Sequence, residues 1–338
     1  MKKLVLLLVM ILALTACQSP DETSGQPYLE KIDYALGTVV RIKLYDKQDP
    51  AVMNLIIERL HEIERRMSYT LEGSDIYQLN HAAGEPVEFH PDTLKVLKEA
   101  IDFNRISGGT FDPTLGVLID AWAIGSDRAR VPSQEEIDQG LKTIGVEKVH
   151  FLDGNKVRVE EGTEIDLGAI AKGFAADEVA QICLDNGVNS AIIDLGGNIM
   201  VVGSKAGSDF IIGIRDPFSG INTPLGSLGV QDKTIVTSGD YERFLEVDGK
   251  RYHHILDYQT GYPVETDLAS VSIITEKSIE ADGYSTSVYA MGLQKGKEFV
   301  ESQENLEAIF VTKDKHVIIS SGLKNIFKLT DTSFTLVE

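Results

Sequence analysis

The chain is poor in cysteine and tryptophan and has no run of basic residues. Two cysteines, Cys17 and Cys183, and a single tryptophan, Trp122, stand in 338 residues. A disulfide-stapled scaffold and a CxxC zinc or redox site are thereby excluded. Thirty-two Lys and Arg face 52 Asp and Glu, a formal charge of −20. With that sign and no cationic cluster, nucleic acid is disfavoured as a partner, and so is electrostatic binding to lipid. Also missing are a GxxxxGK[ST] phosphate loop, a GxGxxG turn after a strand and an HExxH helix. Any handling of an anionic ligand must therefore use another arrangement.

What is present begins with Lys2 and Lys3, followed by an apolar run from Leu4 to Ala16. The run matches a signal-peptide core and falls short of the about 20 residues that span a membrane. Leu14-Thr15-Ala16-Cys17 has the form of a lipobox, in which the cysteine becomes the lipidated first residue. An ordinary cleaved signal with a chance cysteine is the competing reading. Residues 18–27 are polar and aperiodic, as in a flexible tether. The predicted organisation is a lipoprotein signal peptide over 1–17 with lipidated Cys17, a tether over 18–27 and one domain over 28–338. The lipid would hold that domain at the extracytoplasmic face of the cell membrane. Cys183, left without a partner in a helical-looking stretch, is expected to be a buried free thiol.

Apolar spacing predicts a helix over Ala51 to Met67, with Val52, Leu55, Ile56, Leu60, Ile63 and Met67 inward behind Asp49-Pro50. A second runs from near Pro91 to before Ser107, with Leu94, Leu97 and Ile101 inward. Ser133 to Glu136 is a capping box that opens a third. Asp153-Gly154-Asn155 joins strands at 148–152 and 156–160, and Asp248-Gly249 joins strands at 244–247 and 250–255. Leu268 to Thr275 reads as a strand, Ser278 to Met291 as a helix, and 306–312 with 316–320 as a further hairpin. Helices interleaved with hairpins indicate an α+β or mixed α/β fold. The expected form is a single large domain with a mixed, largely antiparallel sheet and flanking helices.

Four polar clusters punctuated by glycine carry the chemistry: DLGAIAKGF at 166–174, TSGDYE at 237–242, HHILDYQTG at 253–261 and ADGYST at 281–286. Asp282 and Thr286 lie one helical turn apart, so a carboxylate and a hydroxyl share a face beside Ser285. Such oxygens suit a hard cation such as Mg²⁺, although an acid near a helix N-terminus is also favourable without any metal. Asp166 to Gly173 reads as a strand end turning into a helix, whose free N–H groups and Lys172 would receive phosphate. Asp166 as a helix cap and Lys172 as a solvated side chain is the alternative. His253 and His254 fall on opposite faces of their strand, so one of them with Asp257 would serve as a proton acceptor or as a structural residue. Asn198, after Gly196-Gly197, marks one more loop of close approach.

In this order, together with Gly37-Thr38, Met67-Ser68-Tyr69, Gly109 to Gly116 and Trp122, the motifs resemble those of the FAD:protein FMN transferase (ApbE) family. The resemblance extends from about Ala35 to Gly292 and implies the flavin-transferase fold, which is T-fold-like. It implies an Mg²⁺-dependent transferase that splits FAD, joins FMN to a threonine of an exported or membrane-bound acceptor flavoprotein through a phosphoester, and releases AMP. Carried over by motif, the metal ligands are the carbonyl of Ala169 and the side chains of Asp282 and Thr286, with Ser285 nearby. FAD contacts fall on Tyr69, Thr110, Phe111, Asp112, Asp166, Lys172 and Ile255. The catalytic candidates are His254 and Asp257. Tyr258 stands where members usually carry proline, and Leu36 where many carry methionine. An FAD pyrophosphatase, with water in place of the hydroxyl, and a non-catalytic flavin-binding lipoprotein are the competing functions.

Overall fold

Seven helices are found among residues 28–220 and 223–337, the portions that the computed structural model describes; the expected signal peptide, Cys17 and tether lie outside them. They are α1 (Pro50–Met67), α2 (Asp75–Asn80), α3 (Pro91–Ile106), α4 (Gly116–Trp122), α5 (Gln134–Leu141), α6 (Ala171–Asp185) and α7 (Ser278–Ser302). None of the described helices is long and apolar enough to cross a membrane. The Asp49 carboxylate starts α1 by accepting the Ala51 N–H at 2.9 Å. Val52, Met53, Ile56, Leu60, Ile63 and Met67 are buried along it, whereas Leu55, expected inward, is 48% exposed. At 100° per residue Leu55 falls roughly 110° from the centre of that stripe, which accounts for the difference. Helix α5 opens with the expected capping box between Ser133 and Glu136. Helix α7 runs beyond Met291: Gly292 breaks it at φ 75°, and the chain then re-enters helix as far as Ser302.

The largest sheet has nine strands. Their order is Leu29–Ala35, Thr38–Leu44, Ser190–Leu195, Asn198–Gly203, Thr234–Gly239, Leu268–Thr275, Glu307–Thr312, His316–Ile319 and Thr335–Val337. Every neighbouring pair is antiparallel except the last, so the sheet is mixed and largely antiparallel. Leu268–Thr275 is buried at every position, because both faces of the sheet are covered there. Val271 and Ile273 pack with Val288 and Tyr289 of α7. Ile235 and Ile274 pack on the other side with Phe210, Ile212 and Leu228, from a three-stranded sheet of Phe210–Arg215, Pro224–Val230 and Phe327–Leu329. Two smaller sheets stand apart, Val87–Glu88 with Lys156–Val159 and Val149–Leu152, and the hairpin of Phe244–Val247 with Lys250–His253. The molecule is a single α+β domain.

Helices α6 and α7 meet at Gly173, where a Cβ would stand 2.2 Å from the Ser278 carbonyl oxygen. Helix α7 has no cap from its own preceding residue, Lys277. Asp177 of α6 supplies it, accepting the Ser278 and Ile279 N–H groups at 2.7 and 2.9 Å. Burial outweighs those donors and pushes the Asp177 carboxyl up to about 6. The thiol of Cys183, buried on α6, is pushed up to about 12 by the same cause.

Two outcomes follow from this burial. An acid raised in the folded state supports the fold most below its unfolded value and loses that contribution as pH rises through the folded one. Urea denaturation should therefore show Asp177→Asn abolishing the part of the stability profile that declines between about pH 4 and 7. Profiles that stay parallel for the two proteins would refute the assignment. Cys183 should resist iodoacetamide in the native protein and react on denaturation, as read by peptide mapping; alkylation at equal rates in both states would contradict its burial.

Candidate active site

The site is organised by Asp282, which is 3% exposed. Helix α6 begins after Ile170, a residue with no side-chain cap to offer. Asp282 takes over that role from α7: its Oδ2 accepts the Gly173 N–H at 2.6 Å, and the Lys172 ammonium stands 3.8 Å from the same oxygen. Oδ1 accepts from the Asn198 amide at 3.1 Å, and Asn198 is fixed in turn by the Ser278 hydroxyl at 2.8 Å. One turn further along α7, Thr286 is half-buried. Ser285 is buried, donating to the Asp282 carbonyl at 3.0 Å and accepting from the Ser238 hydroxyl at 2.9 Å. DLGAIAKGF, ADGYST, the Gly-Gly-Asn loop and TSGDYE thus converge on one point. Gly283 makes room for the Phe103 ring, which a Cβ there would meet at 2.9 Å.

Two expectations for DLGAIAKGF need correction. No strand ends at Asp166: the sole ladder contact nearby is an isolated bridge between Leu115 and Glu164. Asp166 Oδ1 accepts the Gly168 N–H at 2.5 Å, and that local turn competes with strand pairing. Nor are all the N–H groups of the α6 N-terminus left for a ligand, since Asp282 holds that of Gly173.

Around this point Asp166, Lys172, Arg215 and His254 are half-buried, and Glu242 and Arg243 keep surface exposed to water. Asp166 is raised by burial against the pull of Arg243 and Lys172. Glu242 is pushed up to about 7 by burial, despite Lys172, Arg243 and Arg215, with Asp282 adding to the rise. Burial and then the Arg243 cation drive His254 down to about 4, so its imidazole is neutral at pH 7. Its Nδ1 lies 3.3 Å from the Arg243 carbonyl, which can only accept, so Nδ1 carries the proton and Nε2 the lone pair. His253 points the other way, as alternation requires, into the core with Nε2 2.9 Å from the Val264 carbonyl. Glu242, Arg243 and Arg215 were not legible as site residues, although TSGDYE contains the first and abuts the second.

The remaining candidates occupy the walls. Asp257 shares no hydrogen bond or ion pair with His254 among the described residues; its Oδ1 accepts the Gln259 N–H at 2.7 Å and shapes the turn. Tyr258 lies against Gly109, where a Cβ would be 2.9 Å from its ring, and donates to the Gly108 carbonyl at 3.3 Å. Between that ring, Asn104, Asp112, Gly145 and Glu147 opens a pocket of about 500 Å³. The Asp112 carboxylate accepts from the Thr114 N–H at 2.8 Å and is raised by burial. The Thr110 hydroxyl donates to the Ser107 carbonyl at 3.1 Å. Phe111 and Ile255 are buried, each packed into a hydrophobic cluster. The Tyr69 hydroxyl donates to Glu164 and is raised by burial. Trp122 donates to the Gly261 carbonyl at 2.8 Å and so ties α4 to the turn after His254.

No three His, Cys, Asp or Glu side chains gather as metal ligands among the described residues. The oxygens that the resemblance assigns to a metal are of another kind: the Asp282 carboxylate, the Thr286 hydroxyl one turn on along α7, and the carbonyl of Ala169, two residues before α6 begins. All are hard oxygens, and burial already makes the Asp282 anion costly in spite of Lys172, so the set fits a hard cation such as Mg²⁺.

Gly173→Ala tests the helix contact that builds the site. The added methyl meets backbone on α7, which cannot rotate away. We expect a loss of about 1–3 kcal/mol in stability by urea denaturation, with a lowered midpoint of thermal unfolding. Wild-type behaviour in both would show that the helices do not approach as described.

The ApbE family model matches residues 36–310. The "FAD:protein FMN transferase" of Treponema pallidum (strain Nichols) is 35% identical over 90% of each chain, and that of Klebsiella pneumoniae (strain 342) is 33% identical over 90% of this chain and 95% of its own. The crystal structure of the ApbE protein from Thermotoga maritima is 36% identical, with a TM-score of 0.82 over 88% of this chain and 98% of its own. The flavin transferase ApbE from Vibrio cholerae is 27% identical, with a TM-score of 0.75 over 91% and 98%. With its motifs gathered at one cleft and a family model spanning most of its length, the chain belongs to the ApbE family.

Proposed function

We propose that this chain is an FAD:protein FMN transferase that joins FMN to a threonine hydroxyl of an acceptor protein and releases AMP. The observation that carries the reading is the meeting of Asp282, Lys172 and the α6 N-terminus with a neutral His254 at one cleft. Asp282, Thr286 and the Ala169 carbonyl would hold Mg²⁺, with Ser285 behind them. When bound, the ion supplies charge neutralisation at the diphosphate of FAD. Lys172 adds positive charge beside it, and its ion pair with Asp282 fixes where that charge sits. The pocket beside Tyr258 and Asp112 is large enough for a planar ring system.

His254 Nε2 takes the proton of the threonine hydroxyl as its oxygen bonds to the FMN phosphorus. The bond from that phosphorus to the bridging oxygen breaks, and AMP leaves with the bridging oxygen and its electron pair. Much of the rate comes from holding hydroxyl, phosphorus and leaving oxygen in line, which a rigid wall of two helices can do. The lipobox favours an enzyme anchored through Cys17 at the extracytoplasmic face, and therefore an exported or membrane-bound acceptor flavoprotein.

The test is incubation with FAD, Mg²⁺ and a candidate exported flavoprotein, with mass spectrometry of the acceptor and chromatography of the nucleotide. The acceptor should gain one FMN less water on a threonine while AMP accumulates. Asp282→Asn should lower transfer at least about 10- to 100-fold. His254→Asn should slow it by about 100-fold or more with FAD affinity largely kept. Full-rate labelling by Asp282→Asn in Mg²⁺ would overturn the metal assignment. FAD cleavage without a labelled acceptor would make the protein a pyrophosphatase.

A further inference from the structure

The TSGDYE cluster gives Ser238 to the site, but its tyrosine has no part in the transfer as derived. The Tyr241 ring rests on Gly239, where a Cβ would stand 2.6 Å from the ring and 2.8 Å from the Ala269 carbonyl. Over that ring, 4.7 Å from its centroid, lies the guanidinium of Arg215. Arg215 ends the strand Phe210–Arg215 at a register shift opposite Pro224, and such irregularities turn a side chain out of its ladder position. Its Nε is buried and has no hydrogen-bond partner among the described residues, an expensive state for a charged donor. A guanidinium seated over a ring is held in place, and its fork matches two oxygens of one phosphate.

Ser238, on the strand that ends at Gly239, reaches the Ser285 hydroxyl at 2.9 Å, and Ser285 reaches the Asp282 carbonyl at 3.0 Å. Gly239 is the next residue and carries Tyr241 with Arg215 over it, so Arg215 lies along the strand from the point where Lys172 stands 3.8 Å from the Asp282 carboxylate. The phosphorus under attack must stand beside the base and hence beside Lys172. The other phosphate of the same diphosphate then extends toward Arg215. Resting on the transferase reading, we infer that Arg215, seated over Tyr241, binds the phosphate of the adenylate half that leaves.

AMP, adenosine and FMN as competitors of FAD binding isolate that contact. Arg215→Gln should weaken competition by AMP about 10- to 100-fold, the worth of a charged hydrogen bond or two, and leave adenosine and FMN within about 2-fold. Arg215→Lys should recover part of the loss. Tyr241→Leu, which removes the platform and keeps the charge, should weaken AMP in the same direction by less, and it decides the matter if Arg215→Gln does not fold. Unchanged competition by AMP would overturn the inference, as would AMP and adenosine weakening alike or FMN weakening as much as AMP. A wild-type protein that binds neither FAD nor AMP would instead sink the transferase reading. Wild-type release of AMP with no effect of either substitution would remove this contact alone.

Discussion

Two helices that cannot cap themselves cap each other. Helix α6 begins after Ile170 and helix α7 after Lys277, and neither residue places a side chain on the first turn that follows it. Asp282 of α7 takes the Gly173 N–H, and Asp177 of α6 takes those of Ser278 and Ile279. One orphan donor of α6 and two of α7 are thereby satisfied by tertiary contact. That exchange works only at close range, which the absent side chain of Gly173 permits. It also sets the depth, direction and buried state of Asp282, and with them the positions of Lys172, Asn198 and Ser285.

The same constraint explains the electrostatics of the cleft. Carboxylates that complete helix ends in an enclosed setting are raised by desolvation even while N–H groups stabilise them, as Asp177 and Asp282 are. His254 is lowered by the same loss of water and by Arg243. Acids kept costly as anions and a histidine kept neutral form a site prepared for positive charge and for a proton acceptor together. In a chain of net charge −20, Lys172, Arg215 and Arg243 all act on the Glu242 carboxyl, a local gathering of cations that composition does not reveal.

The periodic parts of the fold were legible. Amphipathic spacing located α1 and α3, the capping box located α5, and Asp-Gly turns located two hairpins. Leu55 and the continuation of α7 past Gly292 were not, since the first sits at the margin of a stripe and the second follows a residue that ordinarily ends a helix. At the site, the clusters pointed to Asp282, Lys172 and His254 because glycine with charged residues is a local signal. What those residues touch was not legible. Gly173 and Asp282 are 109 positions apart, and no short-range pattern states that one caps the helix of the other. Arg215 stayed hidden for a simpler reason: its strand reads as ordinary sheet, and its role depends on a tyrosine that a different strand delivers.

The single indole sits where it can report on this machinery. Trp122 is 1% exposed, donates to the carbonyl of Gly261, and has the Tyr252 and Tyr262 rings 5.3 and 5.6 Å away. Those three neighbours belong to the chain segment that runs through His254. With no other tryptophan to dilute the signal, intrinsic emission amounts to a built-in optical gauge of how that segment shifts when flavin or acceptor arrives.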